Sequence, residues 1–438
     1  MGSFCIPLLE WKQRLRVANP CVRSGRLEAV QGSSLLASLP GARLGEQVRI
    51  GPNSRPAEVI GFRGERALLL ASGRRDQLGA GQRIVARGEV FRVAWSEDCL
   101  GRVLDASGRP MDGRPAPAAR AWMPIEAPAP SPLQRRPIEH VLPTGLRAID
   151  GLTCLGEGQR IGLFAPPGVG KSSLLGQIAR HGQADCNVIC LVGERGRELG
   201  EFISDALGTE GMARSAIVCA TSDAPAAERA RALCAATALA EGFRARGQRV
   251  LLLVDSVTRF ARAVREIALD AGEPPGRGGY PPSVFDRLAA LVERAGTDER
   301  GSITAIYTVL TEHEAEEDPL AEELRSLLDG HILLSTELAR QGCFPAVDPI
   351  RSLSRLMDRL VDDEHRLAAR SLRALAAAWE ARRDLIAAGA YEPGSEPETD
   401  RAIALRPAML DFLRQERDER CPLASCVEKL VSTFGGTR

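Results

Sequence analysis

At 438 residues the chain is too long for one ordinary domain, and two or three are expected from length alone. Hydrophobic content of 44% and charged content of 26% are those of a soluble globular protein. With 57 basic and 57 acidic residues the formal charge is zero, which excludes an overall electrostatic pull toward nucleic acid or anionic lipid and leaves only local patches. Lysine occurs only at Lys12, Lys171 and Lys429, so the many arginines isolate Lys171.

Residues from about Leu8 to Ala18 alternate apolar and basic positions, as a short amphipathic helix or a disordered end would. The start lacks the features of a secretory signal and the Ser or Thr that myristoylation needs, and no apolar run is long enough to span a bilayer. From Gly25 to Val93 short alternating segments such as Val48–Ile50, Ala57–Phe62 and Arg66–Leu70 are punctuated by Gly, Pro and Asn. This pattern predicts a small antiparallel β-barrel or sandwich, the core of an amino-terminal domain over 1–94.

Between 108 and 143 prolines crowd in, among them Pro115, Pro117, Pro124, Pro128, Pro130, Pro132 and Pro137, so this stretch reads as an extended connector. Apolar strands then alternate with helical stretches: Gln159–Phe164, Val188–Val192, Ala216–Ala220, Val250–Asp255 and Ile303–Leu310. That alternation predicts an α/β domain with a parallel sheet covered by helices, spanning 95–355. From 356 to 438 the Ala, Leu, Arg and Glu content predicts a helical region, with Arg366–Ala388 its clearest helix. The 11 cysteines lie mostly in apolar segments without a C-x-x-C pair, which predicts reduced thiols and no cysteine metal site.

The run Leu163-Phe-Ala-Pro-Pro-Gly-Val-Gly-Lys171-Ser172-Ser173 has the form of a phosphate-binding loop, since it follows an apolar strand and opens a helix. Small residues let the backbone wrap an anion, so that consecutive N–H groups and the positive end of the helix point at it. Ala165 stands where the pattern has its first Gly, and Pro166 and Pro167 carry no N–H. The cradle therefore falls to Gly168, Val169, Gly170, Lys171, Ser172 and Ser173, with Lys171 reaching the terminal phosphates and Ser172 ligating Mg²⁺. A chance Gly-rich turn would produce a lone G-x-G, but not the full G-V-G-K-S run in this setting.

Asp255 ends a buried apolar strand, at the sheet edge where ligands bind in open α/β folds, and an acid there holds Mg²⁺. Glu194 follows another apolar strand and is placed to orient an attacking water. From spacing alone a solvated charge cluster in a loop accounts for Glu194 equally well. The acids around His313 read as a solvated loop, and His140, His181, His331 and His365 as structural residues.

The combined set APPGVGKSS, LVGERGREL, LLLVDSVTRFARAVREIALDAGEPP, GGYPPSVF and PAVDPIRSLSR resembles the rotary ATP synthase catalytic-subunit superfamily. Within it, Leu155-Gly-Glu-Gly-Gln-Arg160, Leu327-Leu-Asp-Gly-His331 and Gly389-Ala-Tyr391 with Gly394-Ser395 look like the ATPases of type III secretion systems, with the flagellar export ATPases as close relatives. The resemblance implies a P-loop, RecA-like core hydrolysing ATP with Mg²⁺. It implies that Glu194 polarises the attacking water, that Arg195 and Glu198 share its loop, with Glu198 acting through metal-bound water, and that Arg259 lies near the terminal phosphate. By the same resemblance Arg355 is a finger inserted into a neighbouring subunit's site, and Phe344 stacks on adenine where relatives carry Tyr.

An arginine acting in trans requires an oligomer, and one chain carrying both Glu194 and Arg355 fits a homohexamer of equivalent sites. The resemblance further implies a central coiled-coil stalk facing Gly272–Pro282, a peripheral stator protein, chaperone–effector complexes and an export gate, at the cytoplasmic face of the inner membrane. Two other classes compete. A nucleic-acid-driven ring motor is disfavoured by zero net charge and 4% aromatic content, which predict no nucleic-acid partner. A non-catalytic nucleotide-binding subunit is disfavoured by Glu194.

Overall fold

The computed structural model describes residues 22–32, 34–73, 77–311 and 318–435. The expected helix at Leu8–Ala18 and the acidic loop around His313 lie outside them. Strands β1 (Ser24–Gln31), β2 (Ser34–Ser38), β3 (Glu46–Ile50), β4 (Arg55–Arg63), β5 (Arg66–Ala71) and β6 (Arg83–Val90) close into a barrel in the order β1-β2-β5-β4-β3-β6. In β3, Val48 and Ile50 point inward while Gln47 and Arg49 face outward, the period-two pattern of a half-buried strand. Strand β5 is buried on both faces from Ala67 to Ala71, since Leu69 fills the barrel and Leu70 packs against the next domain. A buried arginine fastens that contact: Arg231 donates to Ser72 at 2.6 Å and Glu58 at 3.2 Å, and stacks 3.9 Å over the Phe91 ring.

After the barrel come β7 (Arg92–Trp95), β8 (Arg102–Asp105) and β9 (Ala121–Pro124), and then β10 (Arg160–Ala165), β11 (Cys186–Glu194), β12 (Ser215–Thr221) and β13 (Arg249–Asp255). The last four strands are β14 (Gly296–Thr297), β15 (Ser302–Leu310), β16 (Gly330–Leu333) and β17 (Leu353–Ser354). The main sheet runs β17-β16-β10-β15-β13-β11-β12-β8, parallel from β16 to β8, with β17 antiparallel at its edge. Each of the five expected strands is present within two residues of its expected ends. Strand β8 is an addition, because four residues are too short to show a period. The proline-rich connector holds β9, paired only with β7, which suits a segment with few amide donors.

Successive residues of the central strands serve opposite cores. Val188, Cys190, Val250 and Leu252 pack with the helices Ala226–Arg244, Val257–Asp270 and Pro282–Arg294. Ile189, Leu191, Leu251 and Leu253 pack with the helix Lys171–His181 and with the carboxyl-terminal helices Asp363–Ala387, Pro397–Leu413 and Leu423–Phe434. The helical region thus rests on the face of the sheet that carries the phosphate loop. Its first helix is capped by Asp362, which accepts from the His365 amide at 2.8 Å, and the buried His365 ring bonds the Gly151 carbonyl at 2.9 Å, a structural role. The nine described cysteines are all free, and eight of them are buried.

Gly242 sits where the helix Ala226–Arg244 crosses the buried indole of Trp95, and a β-carbon there would stand 2.3 Å from that ring. Gly242→Ala is expected to lower stability by about 1–3 kcal/mol through overpacking, seen as an earlier urea midpoint with nucleotide affinity unchanged. An unaltered midpoint would show that this joint is loosely packed.

Candidate functional site

The phosphate loop leaves β10 at Ala165, fully buried in the core, passes through Pro166 and Pro167, and turns into the helix Lys171–His181. Gly168 (φ +81°) and Gly170 (φ +89°) hold left-handed conformations that a side chain would strain. A β-carbon on Gly168 would meet nothing within 4 Å, so the loop is open on that side, while Val169 anchors it with 4% exposure. No side chain caps the helix and its first turn holds no acid, which leaves the amides of Lys171, Ser172 and Ser173 facing outward with the positive end of the helix dipole. This is an anion cradle, built from the six residues that do carry N–H groups.

Register brings the acids to the same edge. Asp255 lies opposite Leu191 in the β13–β11 pair, and Glu194 follows beyond a bulge at Gly193. Asp255 is 2% exposed, accepts from Thr308 Oγ1 at 3.0 Å and binds the Lys171 ammonium directly. Lys171 also lies 3.9 Å from Glu194, which pairs with Arg259 at 2.9 Å. Arg259 reaches Glu194 across Gly193, where any β-carbon would stand 2.8 Å from its Cδ, so the bulge must be glycine. Lys171 therefore does not simply await a ligand. In this structure it neutralises a buried carboxylate.

Burial pushes the Glu194 carboxyl up to about 7, aided by a hydrogen bond with Glu198 and the charge of Asp255, and opposed by Lys171 and Arg259. Glu198 is held below its usual value by the same hydrogen bond. Of the two acids, the more buried Glu194 therefore holds a proton more tightly than Glu198 does. Arg195 stands apart from this group: its side chain is 77% exposed and meets only Glu198, at 3.9 Å. Among the described residues no three His, Cys, Asp or Glu side chains form a metal cluster, so a cation at this edge would have to rest on Ser172, Asp255 and the oxygens of a bound phosphate.

Beside the loop a cavity of about 450 Å³ is lined by Gly168, Gly170, Ser173, Phe344, Gln415 and Arg417, among others. The Phe344 ring is 44% exposed and lies 3.6 Å from where a Gly170 β-carbon would be, so it overhangs the loop with a free face. Arg417 donates to Ser173 Oγ at 3.0 Å. Sequence reasoning missed Thr308, Gln415 and Arg417. The first is an ordinary strand residue, and the others sit in a charged run that reads as solvated surface.

Arg355 is not part of this group. Its amide donates to the Asp329 carbonyl at 3.0 Å, and the Asp329 amide to Arg160 at 2.8 Å, which fixes it level with the start of β10. The phosphate loop leaves the other end of that strand, about 16 Å away at the usual rise. The Arg355 side chain is exposed there, with one bond at 3.2 Å to the Arg325 carbonyl.

The ATP synthase alpha/beta family, nucleotide-binding domain, matches residues 145–354, and the T3SS EscN ATPase C-terminal domain matches residues 361–432. A type 3 secretion system ATPase of Xanthomonas euvesicatoria is 48% identical over 432 residues, covering 97% of this chain and 98% of that protein. The flagellum-specific ATP synthase of Pseudomonas aeruginosa is 45% identical over 427 residues, covering 96% and 94%. The structure of the assembled ATPase EscN from the enteropathogenic E. coli type III secretion system superposes with a TM-score of 0.89 at 42% identity, covering 94% of this chain and 100% of that one. With its central stalk EscO bound, the same ATPase superposes at 0.87. Sequence, architecture and the matched carboxyl-terminal region agree that this chain belongs to the type III secretion system ATPases, a protein-export branch of the ATP synthase alpha/beta family, and is an ATPase.

Proposed function

We propose that this chain hydrolyses ATP as a homohexameric ring whose sites lie between adjacent copies, and that turnover energises protein export through a type III secretion apparatus. The observation that carries the ring is the separation of Arg355 from Lys171, Glu194, Asp255 and Arg259. An arginine held level with the start of β10 has no route to its own chain's phosphates, but it is exposed for a neighbour. The proposed division into 1–94, 95–355 and 356–438 is supported by the barrel β1–β6, the main sheet and the carboxyl-terminal helices.

In this reading the amides of Gly168 to Ser173 hold the phosphates, and Lys171 turns from Asp255 to the terminal phosphates, freeing the carboxylate. Ser172 and Asp255 would hold Mg²⁺, with Glu198 reaching it through water, and the ion would supply neutralisation of phosphate charge. Glu194, once its proton leaves, orients the attacking water, with Arg259 and the neighbour's Arg355 countering charge on the transferred group. Arg195, exposed at the helix start, supports the loop rather than the chemistry. Phe344 stacks on the base. The EscN–EscO complex supports a central-stalk partner, which we place at Gly272–Pro282, and a peripheral stator, chaperone–effector complexes and an export gate follow from the export role. Among the described residues no helix is long and apolar enough to cross a membrane. We place the ring in the cytoplasm, peripherally on the inner membrane, with no nucleic-acid partner.

Glu194→Gln is expected to bind ATP·Mg²⁺ normally and lose roughly two to four orders of magnitude in kcat; a loss confined to affinity would make Glu194 a binding residue. The pH dependence follows from the proton on Glu194. Below about 7 Glu194 holds it and cannot polarise water, and above about 7 it is ionised, so kcat/KM should rise with pH through that value. Glu198→Gln, which donates to the Glu194 carboxylate, should move the midpoint down, and a profile flat from pH 6 to 8 (roughly one unit either side of the midpoint) would show that Glu194 does not titrate in catalysis.

Arg355→Ala should bind ATP·Mg²⁺ nearly normally but turn it over very slowly, whereas Lys171→Ala fails in its own site yet still carries a finger. Mixed under subunit exchange, the two should recover part of the activity. Verified mixed rings without turnover would remove the finger assignment.

A further inference from the structure

The segment joining the last two helices, 414–422, carries a buried amide whose bonds lead to the base side of the pocket. Gln415 is 3% exposed. Its Oε1 accepts from the Arg147 amide at 2.9 Å, and its Nε2 donates to the carbonyls of Gly145 and Glu419, each at 2.8 Å. The amide orientation is dictated by these partners, since one wall offers an N–H and the others offer carbonyls. Both Nε2 hydrogens are used, so the side chain has no donor left for a nucleotide although it lines the cavity. The backbone of the same residue donates to the Phe344 carbonyl at 2.8 Å.

Phe344 is exposed between buried neighbours, Cys343 and Ala346, whose backbones bond Leu338 and Ser335. Its ring is nearly half exposed above Gly170, and the Gly342 turn before it is open, a β-carbon at Gly342 meeting nothing within 4 Å. Gln415 therefore bridges three pieces that sequence distance keeps apart: the turn before the sheet at 145–147, the aromatic at 344 and the helical region at 419. Arg147 reinforces the bridge from below, donating to the Phe412 carbonyl at 3.0 Å and binding Glu419.

We infer that Gln415 is a positioning residue for the nucleotide base, which fixes Phe344 over the phosphate loop and thereby makes the helical region part of the base pocket. The inference rests on Phe344 as the stacking residue. Gln415 touches neither phosphate nor the acids at the sheet edge, so its effect should be confined to the part of the ligand that stacks.

The test compares a ligand with a base to one without. Gln415→Leu keeps the volume and removes the three side-chain bonds that hold the backbone amide against the Phe344 carbonyl, and it should raise the KM for ATP about tenfold, the usual consequence of leaving buried backbone groups unpaired. Its kcat should stay within about twofold, and the Ki of magnesium tripolyphosphate, which fills the phosphate loop alone, should not move. In a Phe344→Ala background the same substitution should add little, because the two act through one ring. A parallel rise in KM and Ki, or full additivity with Phe344→Ala, would overturn the proposal, since either would mark a general loosening of the fold. If Gln415→Leu does not fold, Gln415→Asn carries the same test, its shorter amide being unable to reach both walls. Should Phe344→Ala leave the KM for ATP unchanged, the stacking assignment falls and this proposal with it; should Phe344→Ala raise it while Gln415→Leu and Gln415→Asn are silent, positioning alone is overturned.

Discussion

One ion pair organises the site: the Lys171 ammonium against the buried Asp255 carboxylate. A carboxylate with 2% exposure is expensive to leave unpaired, and the Thr308 hydroxyl also relieves it. Drawing Lys171 toward Asp255 sets how the helix after the phosphate loop approaches the central strands. It also keeps two charges in place that a nucleotide would separate. Phosphates arriving at the cradle compete for the ammonium, and the carboxylate they release faces any cation that accompanies them. Binding and activation of the site are in that sense one event.

The same sheet underlies the proposal that sites form between neighbouring chains. Parallel strands collect their carboxyl ends at one edge, and Glu194, Asp255 and the phosphate loop all arrive there by register. The antiparallel strand β17 reverses direction at the outer edge and delivers Arg355 to the opposite end. A parallel sheet cannot bring its two ends together, so in the proposed ring Arg355 would serve another copy. The helical region lies across the loop-bearing face, where Gln415 and Arg417 meet Phe344 and Ser173. Changes at the base would reach these helices through that contact.

Much of this was legible in the residues. The barrel strands show as alternation, the sheet as apolar runs ending in Asp255 and Glu194, and the loop as a motif whose missing first glycine falls harmlessly on buried Ala165. What did not show depends on tertiary contact. Strand β8 is too short to carry a period. The raised Glu194 carboxyl arises from burial, which a loop sequence of Glu and Arg does not announce. Arg417 and Gln415 sit in the run Arg414-Gln-Glu-Arg-Asp-Glu-Arg420, indistinguishable by composition from solvated surface. The pairing of Lys171 with Asp255 is likewise invisible, since nothing in either motif indicates that the lysine has a partner before nucleotide arrives.

The central claim is that each chain binds nucleotide by itself but needs a neighbour to hydrolyse it. It is tested most directly by measuring ATP affinity and turnover per chain on the same samples across a dilution series, with the assembly state followed by sedimentation. Affinity per chain should change little as the protein is diluted to monomer, while turnover per chain should collapse with the loss of assembled species. A monomer that keeps the turnover of the assembled protein would contradict the claim.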